Sequence, residues 1–391
     1  MPRTLTSLIA SLFTIALHAQ AWQSMADMPF SLAFPVVVEL QGNIHVIGGG
    51  GGNGAMDVHL RYTPANNTWD NLAQVPYLAQ QPCGAVVNGK IHFCGGGYPN
   101  SGTPLNDHHV YDPTTDTWTQ AADLPFPTVI NEAASVDGKL FVLSGQPDKQ
   151  LCQSYDPATD SWTAHDPLPD MNFWYGAVLA ANNTMYRFGG GGYMTPTDAA
   201  HVYDAANDNW NALPDVPATV HALAGANIDD SLICLAGGYF NFAELDNVWL
   251  YHLNTQQYEV MDPLPVPRAY HALVRAGGCL YAVGGNNAND PTVGVSLLKN
   301  CTIGVSVPTI AATTTLPYSM VITTSTVQVQ LASGTSHALI EVVDAAGRTV
   351  AQHEAAHGAV TISGTHYPAG VYTIVITIEG RKYAEAWARV R

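Results

Sequence analysis

The 391-residue sequence predicts an all-β protein, a six-bladed β-propeller followed by a small C-terminal β-sandwich. The first observation behind this prediction is a glycine pair that recurs at spacings of 47, 49, 45, 48 and 47 residues. Self-similarity at this period is typical of propellers and solenoids. The pairs begin at Gly48, Gly95, Gly189, Gly237 and Gly284, and Ser144-Gly145 holds the same place in the third copy.

The second observation is an aromatic and proline pattern that follows each glycine pair. A Tyr comes 11 to 16 residues after the start of the pair, then a Trp, and a Pro ends the copy. The Tyr positions are Tyr62, Tyr111, Tyr155, Tyr203 and Tyr251. The Trp positions are Trp69, Trp118, Trp162 and Trp210, with Tyr258 in the fifth copy. A Trp on each outer strand is expected to fill the gap that widens between neighbouring blades.

Residues 84–125 show how one copy forms four short strands. Residues 85–87 and 91–93 are apolar runs on either side of Asn88-Gly89. This pair is a strong hairpin signal, because both turn positions need a positive φ. A third strand is predicted through Tyr111 and a fourth through Trp118. Four strands per copy, with glycine and aromatic residues at fixed positions, are typical of one propeller blade.

The sixth copy is incomplete, and the missing part is found at the other end of the propeller. No Trp follows residues 293–302, whereas Trp22 precedes Trp69 by one full period of 47 residues. We therefore expect the N-terminal strand to complete the last blade within residues 22–305. Ring closure would remove the exposed sheet edges that favour aggregation.

The order Gly-Gly, Tyr-Asp, Trp and Leu-Pro resembles the kelch repeat over residues 22 to about 305. The resemblance implies a propeller and says almost nothing about activity. Copper radical oxidases share the kelch fold, and six-bladed secreted kelch proteins include the sialic acid mutarotases of bacteria, which this chain resembles in its repeat alone.

The two ends of the chain indicate export. Residues 1–21 have a basic start, a short apolar run and Ala19-Gln20-Ala21, as in a secretory signal peptide. Residues 306–315 form a linker, and residues 316–391 alternate as in a β-sandwich. Residues 343–348, 367–372 and 389–391 resemble the C-terminal sorting domain of the type IX secretion system.

This second resemblance implies that the secretion machinery of a Bacteroidetes-type cell is a partner of residues 316–391. It places the protein outside the cell or on the outer-membrane surface. The Asn-Pro that often begins such domains is replaced by Leu316-Pro317-Tyr318, and a generic adhesive β-sandwich is the alternative.

The charge balance excludes some classes of partner. The net charge is −17, and the propeller holds 26 acidic residues against 8 basic ones. Nucleic acid is excluded because its binding needs a basic surface, and an anionic membrane surface is disfavoured for the same reason. No stretch after the signal peptide is long and apolar enough to span a membrane, and we expect a monomer.

The six cysteines allow two disulfide predictions in a secreted chain. Cys83 faces Cys94 across the Asn88-Gly89 hairpin, and Cys279 could meet Cys301 on antiparallel strands of the sixth blade. Cys152 and Cys234 fall in different blades and should not meet. Six buried free thiols are the alternative.

The variable segments predict a ligand-binding face. The turn that enters each first strand and the loop after each glycine pair should open on one side of the ring, where binding residues are expected. The candidate residues are Gln81, Tyr98, Asn131, Glu132, Phe173, Trp174, Tyr175, Tyr193, His221, Tyr239, Arg268, Tyr270 and His271. Aromatic rings and amides in this number favour a glycan, and packing within the loops is the alternative role.

Three of these candidates have competing interpretations. Arg268 could bind a ligand carboxylate through two parallel hydrogen bonds, or pair with Glu132 or a nearby Asp. His221 and His271 could bind copper or zinc, although the kelch pattern often has a structural His there.

Catalysis is not predicted, although Glu132 and Asp170 could supply a carboxylate pair. No catalytic residue, cofactor or metal is therefore assigned. The leading hypothesis is a non-catalytic binding module with a glycan ligand; the alternatives are a sugar-modifying enzyme and a protein–protein interaction platform.

Overall fold

The computed structural model of this protein describes fifteen ranges of the chain. They are 22–51, 54–98, 102–130, 132–143, 145–169, 174–192, 194–303, 318–322, 326–331, 337–344, 348–355, 359–363, 366–368, 370–378 and 381–389. The chain divides into two compact units, Met1–Gly304 and Val305–Arg391. The predicted signal peptide and linker lie outside the described residues, and the described part contains no helix that could span a bilayer.

The first unit consists of six four-stranded antiparallel sheets, which confirms the predicted six-bladed propeller. Blade 1 comprises Val36–Leu40, Asn43–Ile47, His59–Thr63 and Thr68–Asn71. Blade 2 comprises Cys83–Val87, Lys90–Cys94, His108–Asp112 and Thr117–Gln120. Blade 3 comprises Glu132–Val136, Lys139–Leu143, Cys152–Asp156 and Ser161–Ala164.

The remaining blades follow the same order, and the sixth takes its outer strand from the start of the propeller. Blade 4 comprises Ala177–Ala181, Thr184–Phe188, Ala200–Asp204 and Asn209–Leu213. Blade 5 comprises Ala224–Asp229, Leu232–Ala236, Val248–His252 and Gln257–Val260. Blade 6 comprises Ala272–Ala276, Cys279–Val283, Leu297–Asn300 and Gln23–Ser24.

Short secondary-structure elements lie in the loops between the second and third strands of the blades. Blade 6 has a 3-10 turn, Pro291–Gly294. Within the described ranges, small hairpins occur in three blades and are formed by Gly50–Gly51 with Gly54–Ala55, Gly191–Gly192 with Thr195–Pro196, and Tyr239–Phe240 with Ala243–Glu244.

The glycine pairs permit close backbone approach at the end of each second strand. Gly49 has φ +88°, and a Cβ there would lie 2.9 Å from the carbonyl oxygen of Ala33. The predicted hairpin turn is also present, because Asn88 and Gly89 have φ +51° and +76°. At Gly49 and its equivalents, the glycine thus lets the connector that enters the first strand of the same blade pass directly beside it.

A repeated set of hydrogen bonds around the blade Trp, which we call the clasp, joins neighbouring blades. In blade 2, the Trp118 indole N–H donates to the Ala73 carbonyl oxygen at 2.8 Å, and the Ala73 N–H donates to Asp116 at 3.0 Å. Tyr111 also donates to Asp116, at 2.8 Å. Trp69 and Trp162 donate in the same way to Ala26 and Ala122. The repeated Trp therefore provides a directed bond between blades as well as packing.

Two buried histidine pairs lie between blades 1 and 2 and between blades 2 and 3. The nitrogens of His45 and His59 lie 2.9 Å apart, and those of His92 and His108 lie 3.0 Å apart. Burial lowers the pKa of His45 and His108 to about 4 and that of His59 and His92 to about 3. Because these folded-state pKa values lie below the unfolded value, the pairs make the fold less stable as pH falls below about 6.5.

The cysteines differ from the sequence prediction at one pair. Cys279 and Cys301 form a disulfide, as predicted. Cys83 and Cys94 are directly opposed across the hairpin, but their sulfur atoms lie 3.4 Å apart in a hydrogen-bonded contact and are not covalently bonded. The register therefore brought the two thiols together as expected without a disulfide between them. Cys152 and Cys234 belong to separate hydrophobic clusters.

The second unit is the predicted β-sandwich. One sheet contains Tyr318–Ile322, Thr326–Leu331 and Ala359–Ser363, and the other contains Thr349–Ala355, Ala338–Asp344, Gly370–Ile378 and Arg381–Arg389. Alternate residues such as Val327, Ile340 and Ile374 are completely buried between the sheets. This alternation buries one face of each sheet, as the sequence pattern predicts.

Replacing Trp118 with Phe should test the clasp. We expect Trp118→Phe to lower the free energy of unfolding by about 1 kcal/mol more than Trp210→Phe, because Trp118, unlike Trp210, donates a hydrogen bond from its indole. The Trp210 indole nitrogen is buried and has no hydrogen-bond partner in the described structure, so this variant controls for ring size. Equal losses in urea denaturation would show that the Trp acts through packing alone.

Candidate functional site

The segments predicted to form the binding face lie together. The connector entering a first strand pairs with the loop after the glycine pair of the same blade, as in Gln80 with Gly97, His221 with Tyr239 and Ala269 with Asn286. Both kinds of segment therefore occupy the same face of the propeller, where they surround its axis.

Six residues around the axis share an unusual backbone conformation. Each lies two positions before the first strand of its blade and has φ between +52° and +62°, although none is glycine. They are Phe34, Gln81, Ile130, Tyr175, Ala222 and Tyr270, and we call them the axial ring. The Cβ atom lies too close to the following carbonyl oxygen in this region of φ, so the conformation is unfavourable for residues other than glycine, and most of all for β-branched or bulky ones such as Ile130.

Backbone hydrogen bonds connect axial-ring residues of neighbouring blades. The Phe34 N–H donates to the Tyr270 carbonyl at 3.1 Å, and the Ala222 N–H donates to the Tyr175 carbonyl at 2.7 Å. The Tyr270 N–H donates to Ala222, and the Ile130 N–H donates to Gln81. The left-handed conformation thus directs polar backbone groups along the ring, and the side chains surround the space above it.

Two adjoining cavities open at this ring. The inner one has a volume of about 170 Å³ and is lined in part by Glu132, Gly176 and His271. The outer one, about 430 Å³, includes Gln80 and Asn286. Phe34, Gln81 and Tyr270 line both. The outer volume lies in the range of small-molecule sites, roughly 300–1,000 Å³.

Three aromatic rings form one side of the cavities. The Phe34 and Tyr270 centroids lie 4.4 Å apart, and Tyr175 lies 5.3 Å from Tyr270 and 5.7 Å from Phe34. The Gln81 amide donates to the Tyr175 hydroxyl at 3.0 Å, which holds both side chains in place. The arrangement combines apolar ring surface with a fixed amide and phenol.

Glu132 lies at the wall of the inner cavity with both carboxylate oxygens shielded from solvent. Burial raises the pKa of Glu132 to about 7, while the charge of Arg187 and the Gly176 N–H partly counteract this rise. A carboxyl group with this pKa exchanges its proton near neutral pH, which suits acid–base chemistry.

Arg187 is the buried charge that the sequence reasoning missed. It is 0% exposed and occupies the fourth position of the second strand of blade 4. The equivalent residues in the other blades are all apolar: Val46, Phe93, Val142, Leu235 and Ala282. A Cβ at Gly190 would lie 2.9 Å from Arg187 Nη2, so this glycine makes room for the guanidinium. An Arg in an otherwise apolar repeat position was the signal available in the sequence.

The two candidate histidines are buried near the axis. His271 is 7% exposed and lines the inner cavity, and burial holds its pKa well below the usual value. His221 packs 5.3 Å from the Tyr239 ring, and burial lowers its pKa to about 4. In the described ranges, no three His, Cys, Asp or Glu side chains converge as a possible metal-ligand set.

The prediction for Arg268 is corrected by the structure. Arg268 is 1% exposed, and its guanidinium donates to the Gly284 carbonyl at 3.2 Å and to the Ser296 hydroxyl at 3.1 Å. It therefore supports the backbone of blade 6 from inside the protein and neither faces a ligand nor pairs with Glu132. Of the predicted alternatives, a nearby Asp fits best, because the charge of Asp290 acts on Arg268 and raises its pKa against the effect of burial. The charge that acts on Glu132 comes from Arg187.

The other predicted residues lie away from the cavities or cannot be placed. Trp174 is half-buried beneath the Lys149 ammonium group, which lies 4.4 Å from its ring centroid. Tyr98 is 59% exposed, and Tyr239 begins the small hairpin of blade 5. Asn131, Asp170, Phe173 and Tyr193 lie outside the described residues.

Glu132→Gln should change how stability depends on pH. Because the folded pKa of Glu132 is raised from 4.5 to about 7, its contribution to stability is complete below pH 4.5 and is lost as pH rises through 7. We therefore expect the variant to gain roughly 1–3 kcal/mol relative to the parent between pH 5 and pH 8. Chemical denaturation across this range measures the difference, and a constant difference would show that Glu132 titrates normally.

Comparisons with known proteins agree with the fold. The kelch motif model matches residues 81–125. Kelch-like protein 23 of Homo sapiens is 32% identical over 110 residues, which is 28% of this chain and 20% of the relative. The same protein of Pongo abelii and that of Mus musculus match with equal identity and coverage. The chain thus matches about a fifth of the length of these relatives.

Among solved structures, that of YjhT superimposes with a TM-score of 0.59 at 19% sequence identity. The match covers 70% of this chain and 95% of YjhT, and at this identity it concerns the fold alone. Together with the six four-stranded blades, these similarities support a kelch-repeat β-propeller, a fold that commonly serves as a binding or protein-interaction module.

Proposed function

We propose that this protein is an exported, glycan-binding propeller that holds its ligand at the axial cavities. The observation that carries the proposal is the placement of Phe34, Tyr175 and Tyr270 beside Gln81 around one cavity mouth. Aromatic faces stack on the C–H surface of pyranose rings, and amide groups hydrogen-bond to sugar hydroxyls. Both groups are held in place by contacts within the protein, which reduces the ordering cost of binding.

The charge around the cavities favours a neutral glycan. Among the described residues that line them there is no Lys or Arg, and the nearby Arg187 and Arg268 are completely or almost completely buried. The propeller also has a large excess of acidic residues. An anionic ligand would therefore meet repulsion without a compensating cation.

Export is the second part of the proposal. The signal-peptide pattern of residues 1–21 and the sorting-domain resemblance of residues 316–391 both support secretion through a type IX system to the cell surface or beyond. The two-sheet sandwich of the second unit is compatible with that role.

A glycan array probed with the full chain tests the binding function. We expect Tyr270→Ala and Gln81→Ala to weaken binding about tenfold, since each removes a fixed contact of the cavity mouth. Lys90→Ala is the control, because Lys90 begins the second strand of blade 2, at the hairpin end that lies away from the connectors that form the site. A silent array, or binding that both cavity variants leave intact, would reject the glycan site and redirect the search to protein ligands.

A second function, interconversion of sugar anomers, is favoured by Glu132. In this reaction the anomeric hydroxyl loses a proton, the ring oxygen gains one, and the C–O bond opens and later recloses. A carboxyl group that exchanges its proton near pH 7 could serve as the acid or the base. The neutral His271 imidazole lines the same cavity and could carry the other proton.

The rate of anomer equilibration distinguishes this function from binding alone. We expect the full chain to accelerate equilibration of freshly dissolved α-glucose, a neutral sugar, in NMR, with a rate that changes around pH 7. Glu132→Gln keeps the shape of the side chain but cannot transfer the proton, so its rate should fall at least a hundredfold. Parent rates equal to those of buffer would reject the catalytic function and leave the binding proposal unaffected.

A further inference from the structure

The small hairpin of blade 5 presents an aromatic residue where the backbone favours glycine. Its two turn residues, Asn241 and Phe242, have φ +48° and +65°, which is the type I′ geometry that favours Asn-Gly. A bulky side chain is strained in this conformation. The Phe242 side chain is nevertheless 69% exposed, and Phe240 on the same hairpin is 45% exposed. Strain at an exposed aromatic residue indicates a role in binding.

A continuous series of ring contacts connects this hairpin to the axial cavities. The Tyr270 ring, which lines both cavities, lies 5.9 Å from the His221 ring. His221 in turn lies 5.3 Å from Tyr239, the first residue of the hairpin. Exposure increases along this series, from buried His221 to half-buried Tyr239 and exposed Phe242. The hairpin therefore lies beside the axial cavities, and Tyr239 contacts their aromatic lining through the buried His221 ring.

The residues that line the outer cavity and the blade 5 hairpin match a sugar chain better than other ligands. The amides of Gln80, Gln81 and Asn286 line the outer cavity beside the aromatic series. Glu244, the acidic residue of the hairpin, already accepts a hydrogen bond from the Ala288 N–H at 3.1 Å. The acidic propeller disfavours an anionic membrane surface. Amides beside exposed rings offer hydroxyl recognition and stacking to consecutive units.

We propose that the ligand is an extended neutral oligosaccharide, with one end in the axial cavities and the following units stacked along the hairpin toward Phe242. This inference rests on the proposed glycan-binding function and deepens it. It assigns Phe240 and Phe242 to a second subsite, which determines the preferred length of the chain and leaves the contacts at the axis unchanged.

The first test compares the affinities of oligosaccharides of different lengths. Cello-, xylo-, manno- and laminari-oligosaccharides of one to six units are titrated against the full chain by isothermal titration calorimetry. For the sugar series that binds, we expect the affinity to rise over the first several units and then level off. Equal affinity for one unit and for six would overturn the second subsite but leave the axial glycan site intact. Silence of every series, together with a silent array, would overturn both.

The second test removes the aromatic ring of Phe242 without destabilising the fold. Phe242→Gly suits the left-handed turn, so its melting temperature should be equal to or higher than that of the parent. Its affinity for the longest oligosaccharide should fall roughly three- to tenfold, the scale of one aromatic stacking contact. Its affinity for the shortest ligand that binds should not change. Phe242→Trp should restore the preference for long chains.

Val260→Ala is the matched control, because Val260 is also strongly exposed, at 76%, but lies on the outer strand of blade 5. A loss of affinity for long chains in this control equal to that in Phe242→Gly would overturn the assignment. So would an unchanged preference for long chains in Phe242→Gly. If a peptide bound the hairpin in a Phe242-dependent manner and no oligosaccharide did, the glycan identity of the ligand would be rejected.

Discussion

Closure of the ring around its axis is the constraint on which the rest of this structure depends. Each blade must turn its connector inward and still satisfy the backbone groups of that connector, because buried polar groups are costly when unpaired. The chain achieves this by placing one residue per blade in the left-handed region, where its N–H can reach the neighbouring carbonyl, as in Phe34 with Tyr270. The same conformation brings six side chains together above the axis, so the site is a consequence of how the ring closes.

In the outer part of the propeller, the blades are held together by aromatic packing and by hydrogen bonds from Trp side chains. Blades diverge with distance from the axis, and the gap is filled by the repeated Tyr and Trp side chains. The Trp118 indole and the Asp116 carboxylate bind the two backbone groups of Ala73, so the interface is fixed in position as well as filled. Blade 6 has no such Trp after its third strand, and the N-terminal strand takes that position. Packing at the rim therefore supports the geometry at the axis.

The buried charges give the site its chemical character. Arg187 and Arg268 occupy comparable depths, but their environments differ: Arg268 is bonded to backbone and hydroxyl oxygens, whereas Arg187 acts on Glu132 across the interface of blades 3 and 4. Burial disfavours the charge on Glu132 and the nearby guanidinium favours it, and burial has the larger effect. The cavity consequently offers neutral polar groups, aromatic rings and a carboxyl group that is partly protonated at neutral pH.

The sequence by itself determined the propeller, its six blades, the hairpin turns and the β-sandwich, because these depend on local periodicity and on turn residues such as Asn88-Gly89. It also indicated which segments surround the axis, since repeat position specifies the place in a blade. Only the tertiary structure decided which of those residues meet. Arg268 and Arg187 show the reason: repeat position placed Arg268 on the predicted face and did not single out Arg187, whereas the folded chain buries Arg268 against blade 6 and brings Arg187 near Glu132 of the neighbouring blade. The left-handed conformation of Tyr175 and Tyr270 likewise arises from bonds to residues distant in sequence, which no local pattern records.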